Sequence, residues 1–211
     1  MMSIFKVFIN KPVGLFITAA TCECNYIYSL MSNSSKIECI KIDNVNSFVF
    51  NYQRKKNVLF FAHGDDELRV FYKKGDNTHS PIYIQKEWWQ IFSNRVSVLY
   101  FHVCNGSLIL RHNPTISKEF GQWISYSEPV SIVMGSSDPI KSMNQKFIHS
   151  VCDSLMSRKT IDAILSDIKS AYFSMMADIH DLPNQYSIYE FPLRLMVGQN
   201  IESLKGSNSL N

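Results

Sequence analysis

The sequence lacks the features that would assign it to several broad classes of protein. No apolar run is long enough to cross a membrane and the mean hydropathy is −0.08, so we expect no membrane-spanning segment and no membrane partner. The apolar run 13–20 is short and has no convincing cleavage site, which favours a cytoplasmic protein over a secreted one. Repeats and low-complexity linkers are also lacking, so we expect one domain over residues 1–211, with a frayed polar tail at 206–211.

An excess of charge of one sign is lacking as well. The formal net charge is +3, and the basic residues are scattered apart from those at 54–56. A nucleic-acid-binding protein needs a wider basic face, so we expect no nucleic-acid partner. The five cysteines are an odd number in a chain without a secretion leader, which favours free thiols. Only one residue separates Cys22 from Cys24, which is too close for the usual zinc or redox motifs, so we predict no metal ion and no cofactor.

Two apolar runs each end at a residue that can take part in catalysis. The run 58–62 leads directly into His63, and the run 96–103 leads into Cys104. Short continuous apolar runs bounded by turn residues are typical of buried strands in a parallel sheet. Chemistry in open α/β sheets takes place at the carboxyl ends of such strands. The sequence therefore predicts an imidazole and a thiol at one sheet edge, which is where a cysteine nucleophile and its general base are needed.

The remaining chain alternates between strand and helix patterns. Strands are predicted at 13–20, 37–42, 58–62, 96–103, 130–134 and 193–198, with a β excursion within 68–84. Helices are predicted at 24–31 and over 144–172, where residues 157–160 break the second stretch into two. This alternation indicates an α/β sandwich with a mostly parallel sheet.

The order of these elements resembles that of the caspase-like cysteine peptidases, and most closely that of their CHAT domains. The stretch 61–64, Phe-Ala-His-Gly, is similar to the family's histidine strand, and the stretch 99–106, Leu-Tyr-Phe-His-Val-Cys-Asn-Gly, to its cysteine strand. Residues 130–172 resemble the strand and crossover helix that follow, and residues 191–198 resemble the closing strand. The resemblance implies a caspase-like three-layer sandwich, in which helices flank a mostly parallel central sheet.

The activity that the resemblance implies is that of a cysteine endopeptidase acting on a protein substrate. Cys104 would be the nucleophile, and His63 the base that later protonates the leaving amine. The backbone N–H groups of Gly64 and Cys104 would bind the oxyanion, and no third acid is obligatory. The short length of the chain favours control from outside it, by a regulatory or activating protein, by proteolysis or by formation of a homodimer. The resemblance to CHAT domains implies a setting in bacterial defence or regulated proteolysis.

Three carboxylates are candidates for contacting the substrate. Asp65 and Asp66 follow the His-Gly corner, and Asp138 follows a glycine-serine stretch, so each could favour a basic side chain of the substrate. Solvated loop acids are the alternative interpretation of all three. His102 lies two residues before Cys104 and therefore on the same strand face, where packing is favoured over competition with His63 as the base.

Two alternatives from other classes remain open. The block 63–67, His-Gly-Asp-Asp-Glu, is similar to the His-Pro-Asp-Asp-Glu block of zinc-dependent N-acetylglucosaminyl deacetylases, where it supplies metal ligands and a carboxylate base. That interpretation leaves Cys104 without a role. The third possibility is a non-catalytic protein-interaction domain on the same fold, because a fold does not establish an activity.

Overall fold

A six-stranded sheet forms the centre of the computed structural model, and a small three-stranded antiparallel sheet lies beside it. The structure describes residues 13–18, 21–42, 57–65, 67, 69–73, 82–83, 98–112, 122–157 and 159–208. Its strands are β1 Val13–Thr18, β2 Ile37–Ile42, β3 Asn57–Phe61, β4 His63–Gly64, β5 Val70–Lys73, β6 Ile82–Tyr83, β7 Val98–His102, β8 Gln122–Tyr126 and β9 Leu204–Gly206. Its α-helices are α1 Cys22–Met31, α2 Gly106–His112, α3 Asp138–Met156, α4 Ile161–His180 and α5 Ser187–Ser203, and a 3-10 turn spans Asn184–Tyr186.

The central sheet is parallel except at one edge. Its strand order is β2-β1-β3-β7-β8-β9, and only β9 runs antiparallel to its neighbour. The two middle strands, β3 and β7, are buried along almost their whole length, as expected for parallel strands covered on both faces. The α/β class with a mostly parallel sheet is therefore confirmed.

Apolar side chains from the two faces of the sheet pack into separate cores. On β3, Leu59 and Phe61 pack with α1, α3 and α4, whereas Val58 and Phe60 face the core that contains α2. This alternation follows from the two-residue period of a strand. Helices cover both faces of the sheet, an arrangement compatible with a three-layer sandwich.

Most predicted elements in the first half of the described chain are confirmed. The first four strands match β1, β2, β3 and β7, and the predicted β excursion corresponds to β5 and β6. The predicted helix at 24–31 is α1, which the Thr21 side chain caps by accepting a hydrogen bond from the backbone of Cys24 at 3.4 Å. The predicted break in the long helical stretch is also confirmed, because α3 ends at Met156 and α4 begins at Ile161.

The predicted strand at 130–134 is wrong. This segment has no regular secondary structure, and side-chain amides bind its backbone. Asn144 donates to the Val133 carbonyl at 2.8 Å, and Asn200 donates to the Ser131 carbonyl at 2.8 Å. The strand that pairs with β7 on the side away from β3 is instead β8, which the sequence analysis missed together with α2.

The predicted closing strand at 193–198 is also wrong, because these residues lie within α5. Residues 193, 196, 197, 200 and 201 face the core at the spacing of three and four residues that a helix requires. The sheet instead closes with β9, so that Gly206, predicted to belong to a frayed tail, pairs with Ile124. The sequence also predicts a short helix or extended piece at 45–52 and a helical turn at 87–92, and both segments contain only residues outside those that the structure describes.

None of the helices in the described part of the chain is both long and apolar enough to cross a membrane.

Candidate active site

The register of the central strands brings the two predicted catalytic residues to the same edge of the sheet. Parallel pairing places Phe61 of β3 opposite His102 of β7. His63 lies two residues beyond Phe61, and Cys104 lies two residues beyond His102. The two predicted catalytic residues therefore continue the same register past the ends of the paired strands. The backbone N–H of Ala62 donates to the His102 carbonyl at 3.3 Å, which extends the contact between the strands toward the site.

Gly64 lies directly against the backbone that carries the thiol. A Cβ atom built on Gly64 would lie 2.5 Å from the Cys104 carbonyl oxygen and 3.0 Å from Cγ1 of Val103. Real Cβ atoms do not approach other atoms so closely, so only glycine permits this packing. The His-Gly corner therefore touches the cysteine segment, as the predicted dyad requires.

A tight turn between β7 and α2 positions Cys104. Asn105, the next residue, has a φ of 54°, in the left-handed region that non-glycine residues rarely adopt and that asparagine tolerates better than most. Gly106 then donates its N–H to the Val103 carbonyl at 3.0 Å, and α2 begins. The thiol is half-buried, and its Sγ donates to the Val130 carbonyl at 3.7 Å.

A cleft of about 410 Å³ contains both predicted residues. Among the described residues, five side chains in its lining carry chemically reactive or titratable groups: Glu23, Cys24, His63, His102 and Cys104. The remaining wall is formed by the 129–132 segment, by Phe61 and Ala62 at the end of β3, and by Met196 of α5. The carboxyl edge of the parallel sheet is thus the site where the molecule gathers its reactive groups, as expected for this architecture.

Burial shifts the pKa values of ionisable groups in this cleft, among them Cys104 and His102. Burial raises the pKa of the Cys104 thiol, and the negative charge of Glu23 adds to this rise. Burial, followed by the charge of His63, lowers the pKa of His102 from 6.5 to about 3. His102 is therefore neutral at physiological pH and a weak base. Of the two imidazoles in the cleft, His63 is the better suited to accept a proton from the thiol.

Glu23 is a site residue that the sequence analysis missed. It lies in the first turn of α1, and α1 directly follows β1, the neighbour of β3 in the sheet. A helix that begins after a parallel strand starts at the carboxyl edge, and this is the signal that could have identified Glu23. Cys24 is buried beside it and donates its Sγ hydrogen to the Phe61 carbonyl at 3.9 Å.

Two of the candidate substrate-binding acids, Asp65 and Asp138, do not line this cleft. The Asp65 carboxylate accepts hydrogen bonds from the backbone N–H and Nε of Arg69, at 2.9 and 3.0 Å. Asp138 is fully exposed at the start of α3, 3.9 Å from the Lys141 ammonium. Asp66 lies outside the described residues.

No cluster of three or more histidine, cysteine, aspartate or glutamate side chains that could hold a metal ion occurs in the part of the chain that the structure describes. In the block that resembles the deacetylase motif, the carboxylates of Asp65 and Glu67 each form an ion pair with Arg69, at 2.9 Å.

No protein-family model matches the sequence, and no curated protein matches it at a significant level. The fold and the site define an α/β protein that gathers a histidine and a cysteine in one cleft at the carboxyl edge of a mostly parallel sheet.

Proposed function

We propose that this protein is a caspase-like cysteine endopeptidase, in which Cys104 is the nucleophile and His63 the general acid and base. One observation carries the proposal: His63 and Cys104 line the same cleft, above strands whose register aligns them. The contact of Gly64 with the Cys104 carbonyl supports the same arrangement. A histidine and a cysteine that share an open cleft at this edge are the groups that acyl transfer to a thiol requires.

The chemistry would run in two halves. The Cys104 sulfur attacks the scissile carbonyl carbon while His63 accepts the thiol proton, and the tetrahedral intermediate then expels the amine, which takes that proton from His63. Water then attacks the resulting thioester, with His63 again acting as base, and the carboxylic acid leaves while the thiol is regenerated. Because the pKa of Cys104 is raised, its proton would move during the attack rather than before it.

The strand pairing supports the role of Gly64 as an oxyanion donor. Asp65 donates its backbone N–H to the Arg69 carbonyl at 3.0 Å, so this pair is a hydrogen-bonded position between β4 and β5. Such positions alternate in antiparallel pairs, which makes Gly64 and Val70 a non-hydrogen-bonded pair. The Gly64 N–H therefore points away from β5, which leaves it available to an oxyanion above Cys104.

The proposal includes control by an activating partner, by proteolysis or by dimerisation. A raised thiol pKa lowers the fraction of thiolate at neutral pH and so favours a resting state of low reactivity. An activator that moves Glu23 away from the cleft, or that brings a positive charge to it, would lower this pKa.

The direct test is cleavage of a peptide library by the wild type and by Cys104→Ala and His63→Ala. Both substitutions are expected to abolish or severely reduce cleavage, whereas Cys22→Ala, which removes an exposed thiol outside the cleft, should leave it unchanged. The proposal is wrong if cleavage survives both site substitutions. A peptidyl electrophile followed by mass spectrometry should place the adduct on Cys104.

A second candidate function, a protein-interaction domain, is favoured by a separate observation. Large apolar side chains are exposed on α5 and the adjacent part of α4, among them Phe191 at 77%, Ile188 at 74% and Phe173 at 59%. Clustered exposed apolar side chains are typical of protein-binding surfaces. This candidate becomes the better one if no peptidyl electrophile labels Cys104 and no peptide is cleaved.

A further inference from the structure

One wall of the cleft, residues 129–132, belongs to an irregular segment between β8 and α3. Just before this wall, Ser127 donates its backbone N–H to the carbonyl of Ser203, the last residue of α5, at 2.8 Å. Just after it, the Val133 carbonyl accepts a hydrogen bond from the Asn144 amide of α3, at 2.8 Å. Both ends of the wall are therefore bound to helices.

The middle of the wall is bound by a single side-chain amide, that of Asn200 in α5. Its Oδ1 accepts from the backbone N–H of Ser131 at 3.2 Å, and its Nδ2 donates to the Ser131 carbonyl at 2.8 Å. A backbone N–H can only donate and a backbone carbonyl can only accept, so these two bonds fix the orientation of the amide. Only 2% of Asn200 is exposed, so packing also holds the side chain in place.

The two bonds to Asn200 determine where the neighbouring peptide groups point. One amide reaches both the N–H and the carbonyl of Ser131, so both of these groups point toward α5. No cis peptide bond occurs in the described part of the chain, and in a trans peptide group the C=O and the N–H point in opposite directions. The Val130 carbonyl and the Ile132 N–H, which belong to the peptide groups on either side of Ser131, therefore point away from Asn200.

The Cys104 thiol lies on the side to which these groups point. The Val130 carbonyl accepts from Cys104 Sγ at 3.7 Å, and the Glu128 carbonyl accepts from the backbone N–H of Asn105 at 3.3 Å. Alternate residues of the segment thus bind the cysteine turn on one side and the helices on the other, as expected of an extended chain. The Ile132 N–H is next on the cysteine side, and it has no hydrogen-bond partner in the part of the chain that the structure describes.

We infer that Asn200 is a positioning residue of the proposed peptidase: its amide holds Ser131 so that the Val130 carbonyl and the Ile132 N–H face the Cys104 side of the cleft, where they bind the main chain of an extended peptide. This inference rests on the proposed function for the nature of the ligand. In the proposed mechanism Cys104 gives its proton to His63, which leaves the Val130 oxygen to accept from a peptide N–H.

The chemistry of the amide explains why an asparagine suits this position. A primary amide presents a carbonyl and an N–H side by side, the same pair of groups that a neighbouring strand presents to a paired residue. Asn200 therefore acts on Ser131 as a paired strand would. Met196, four residues earlier on α5, lines the cleft, so α5 supplies both an apolar surface of the cleft and the group that fixes the backbone of its wall.

The role of Asn200 is tested with two reagents that label the same thiol. Iodoacetamide reports the reactivity of Cys104 itself, whereas a peptidyl electrophile also needs the wall, so the ratio of the two labelling rates isolates recognition of the peptide. Mass spectrometry of the adduct measures both rates. Asn200→Ala should lower the ratio of peptidyl to iodoacetamide labelling by about tenfold, the usual effect of losing a well-placed hydrogen bond.

Asn144→Ala is the matched control for this substitution. It also deletes a buried amide that binds the same segment, through the Val133 carbonyl, but neither residue lines the cleft. We expect a comparable fall in Tm from both variants, and a labelling ratio within about twofold of the wild type for Asn144→Ala alone. An unchanged ratio in Asn200→Ala, or an equal fall in both variants, would overturn the inference.

Asn200→Asp keeps the shape of the side chain and provides a test by pH. The protonated carboxyl group can donate to the Ser131 carbonyl as the amide does, whereas the ionised group cannot. The labelling ratio of this variant should reach that of the wild type at about pH 5.5 and fall at about pH 8 as the carboxyl group ionises. A ratio as low as that of Asn200→Ala at both pH values would contradict the positioning role, and a wild-type ratio at either pH supports it.

A test in the wild type does not depend on the folding of any variant. Methylation of the peptide N–H nearest the electrophile removes the donor to the Val130 carbonyl, and it should slow labelling of Cys104 by about tenfold. The control reagent carries the methyl group on the next N–H, which points to the other side of an extended peptide. Equal rates for these two methylated reagents would count against the inference.

The outcomes separate this inference from the proposed function. If the peptidyl reagents label Cys104 but neither Asn200→Ala nor methylation changes the labelling ratio, the inference is wrong and the peptidase proposal stands. Labelling of Cys104 by iodoacetamide alone, with none of the peptidyl reagents reacting, rejects the peptidase proposal and with it the peptide ligand.

Discussion

Two histidines line the same cleft, yet the fold holds them in opposite ways. His63 lies in a two-residue strand of the small antiparallel sheet and is half-buried at the cleft. His102 ends a central strand, where it is nearly inaccessible and is hydrogen bonded to Tyr100. The difference shows that a residue type and its distance from a thiol do not define a role. The environment decides which imidazole can exchange a proton, because burial disfavours the charged form.

The largest effect should separate the two histidines in catalysis. His63→Ala is expected to reduce kcat/KM for a cleaved peptide by about 10²–10⁴-fold, the usual contribution of a general acid and base. His102→Gln keeps a neutral donor and is expected to change the rate of uncharged substrates by less than about tenfold. Steady-state peptide cleavage measures both variants. A greater loss from His102→Gln than from His63→Ala would reverse the assigned roles.

The next effect concerns the backbone contact that holds the His63 corner against Cys104. Gly64→Ala places a methyl group against the Cys104 carbonyl, and we expect a loss of about 1–3 kcal/mol in the free energy of unfolding, together with slower labelling of Cys104. Urea denaturation and thiol labelling measure the two effects.

Gly198 provides the matched control for this substitution. It lies within α5, and a Cβ built there meets no atom within 4 Å, so Gly198→Ala should stabilise the protein by about 0.5–1 kcal/mol. If Gly64→Ala were as harmless as Gly198→Ala, the close contact between the corner and the cysteine segment would not exist in solution.

The buried histidine should also leave a signature in the dependence of stability on pH. His102 has a pKa of about 3 in the folded protein, below its ordinary value of 6.5, so the unfolded chain binds the extra proton between these values. The stabilising contribution is present above pH 6.5 and is lost as the pH falls toward 3, at about 1.4 kcal/mol per pH unit.

His102→Gln removes this contribution, so its free energy of unfolding should fall less steeply with decreasing pH than that of the wild type. Urea denaturation at pH 7, 6, 5 and 4 gives the comparison, and His112→Gln, at an exposed position, is the control. Parallel curves for the wild type and His102→Gln would show that folding does not lower the pKa of His102.

The smallest effects are expected at the carboxylates outside the cleft. Asp65 is occupied by Arg69 and Asp138 is exposed on α3, so Asp65→Asn and Asp138→Asn should leave the side-chain preference for peptide cleavage unchanged. The measurement is cleavage of matched peptides with lysine or glutamine before the scissile bond. If either variant lost cleavage of the lysine peptide but kept cleavage of the glutamine peptide, the substituted acid would belong to the substrate-binding site after all.

Much of the central sheet could be predicted because its strands are continuous apolar runs bounded by turns. The runs that end at His63 and Cys104 are too short for helices of ordinary length and too apolar for loops, so their strand character was evident. The segments at 130–134 and 193–198 have the same appearance at short range. Periodicity alone does not distinguish a short buried strand from irregular backbone or from a helix, and the tertiary partners of these segments determined their structure.

The amino-acid sequence by itself determined the α/β class, the two middle strands and the candidate pair His63 and Cys104, because hydrophobic periodicity and strand ends are local properties. Only the tertiary structure decided that Glu23 joins the cleft. It also decided that the hydroxyl of Tyr126 meets that of Tyr100, 26 residues earlier in the chain, and that of Tyr172, 46 residues later. Contacts between distant segments depend on how helices pack on the sheet, and a linear pattern does not contain that geometry.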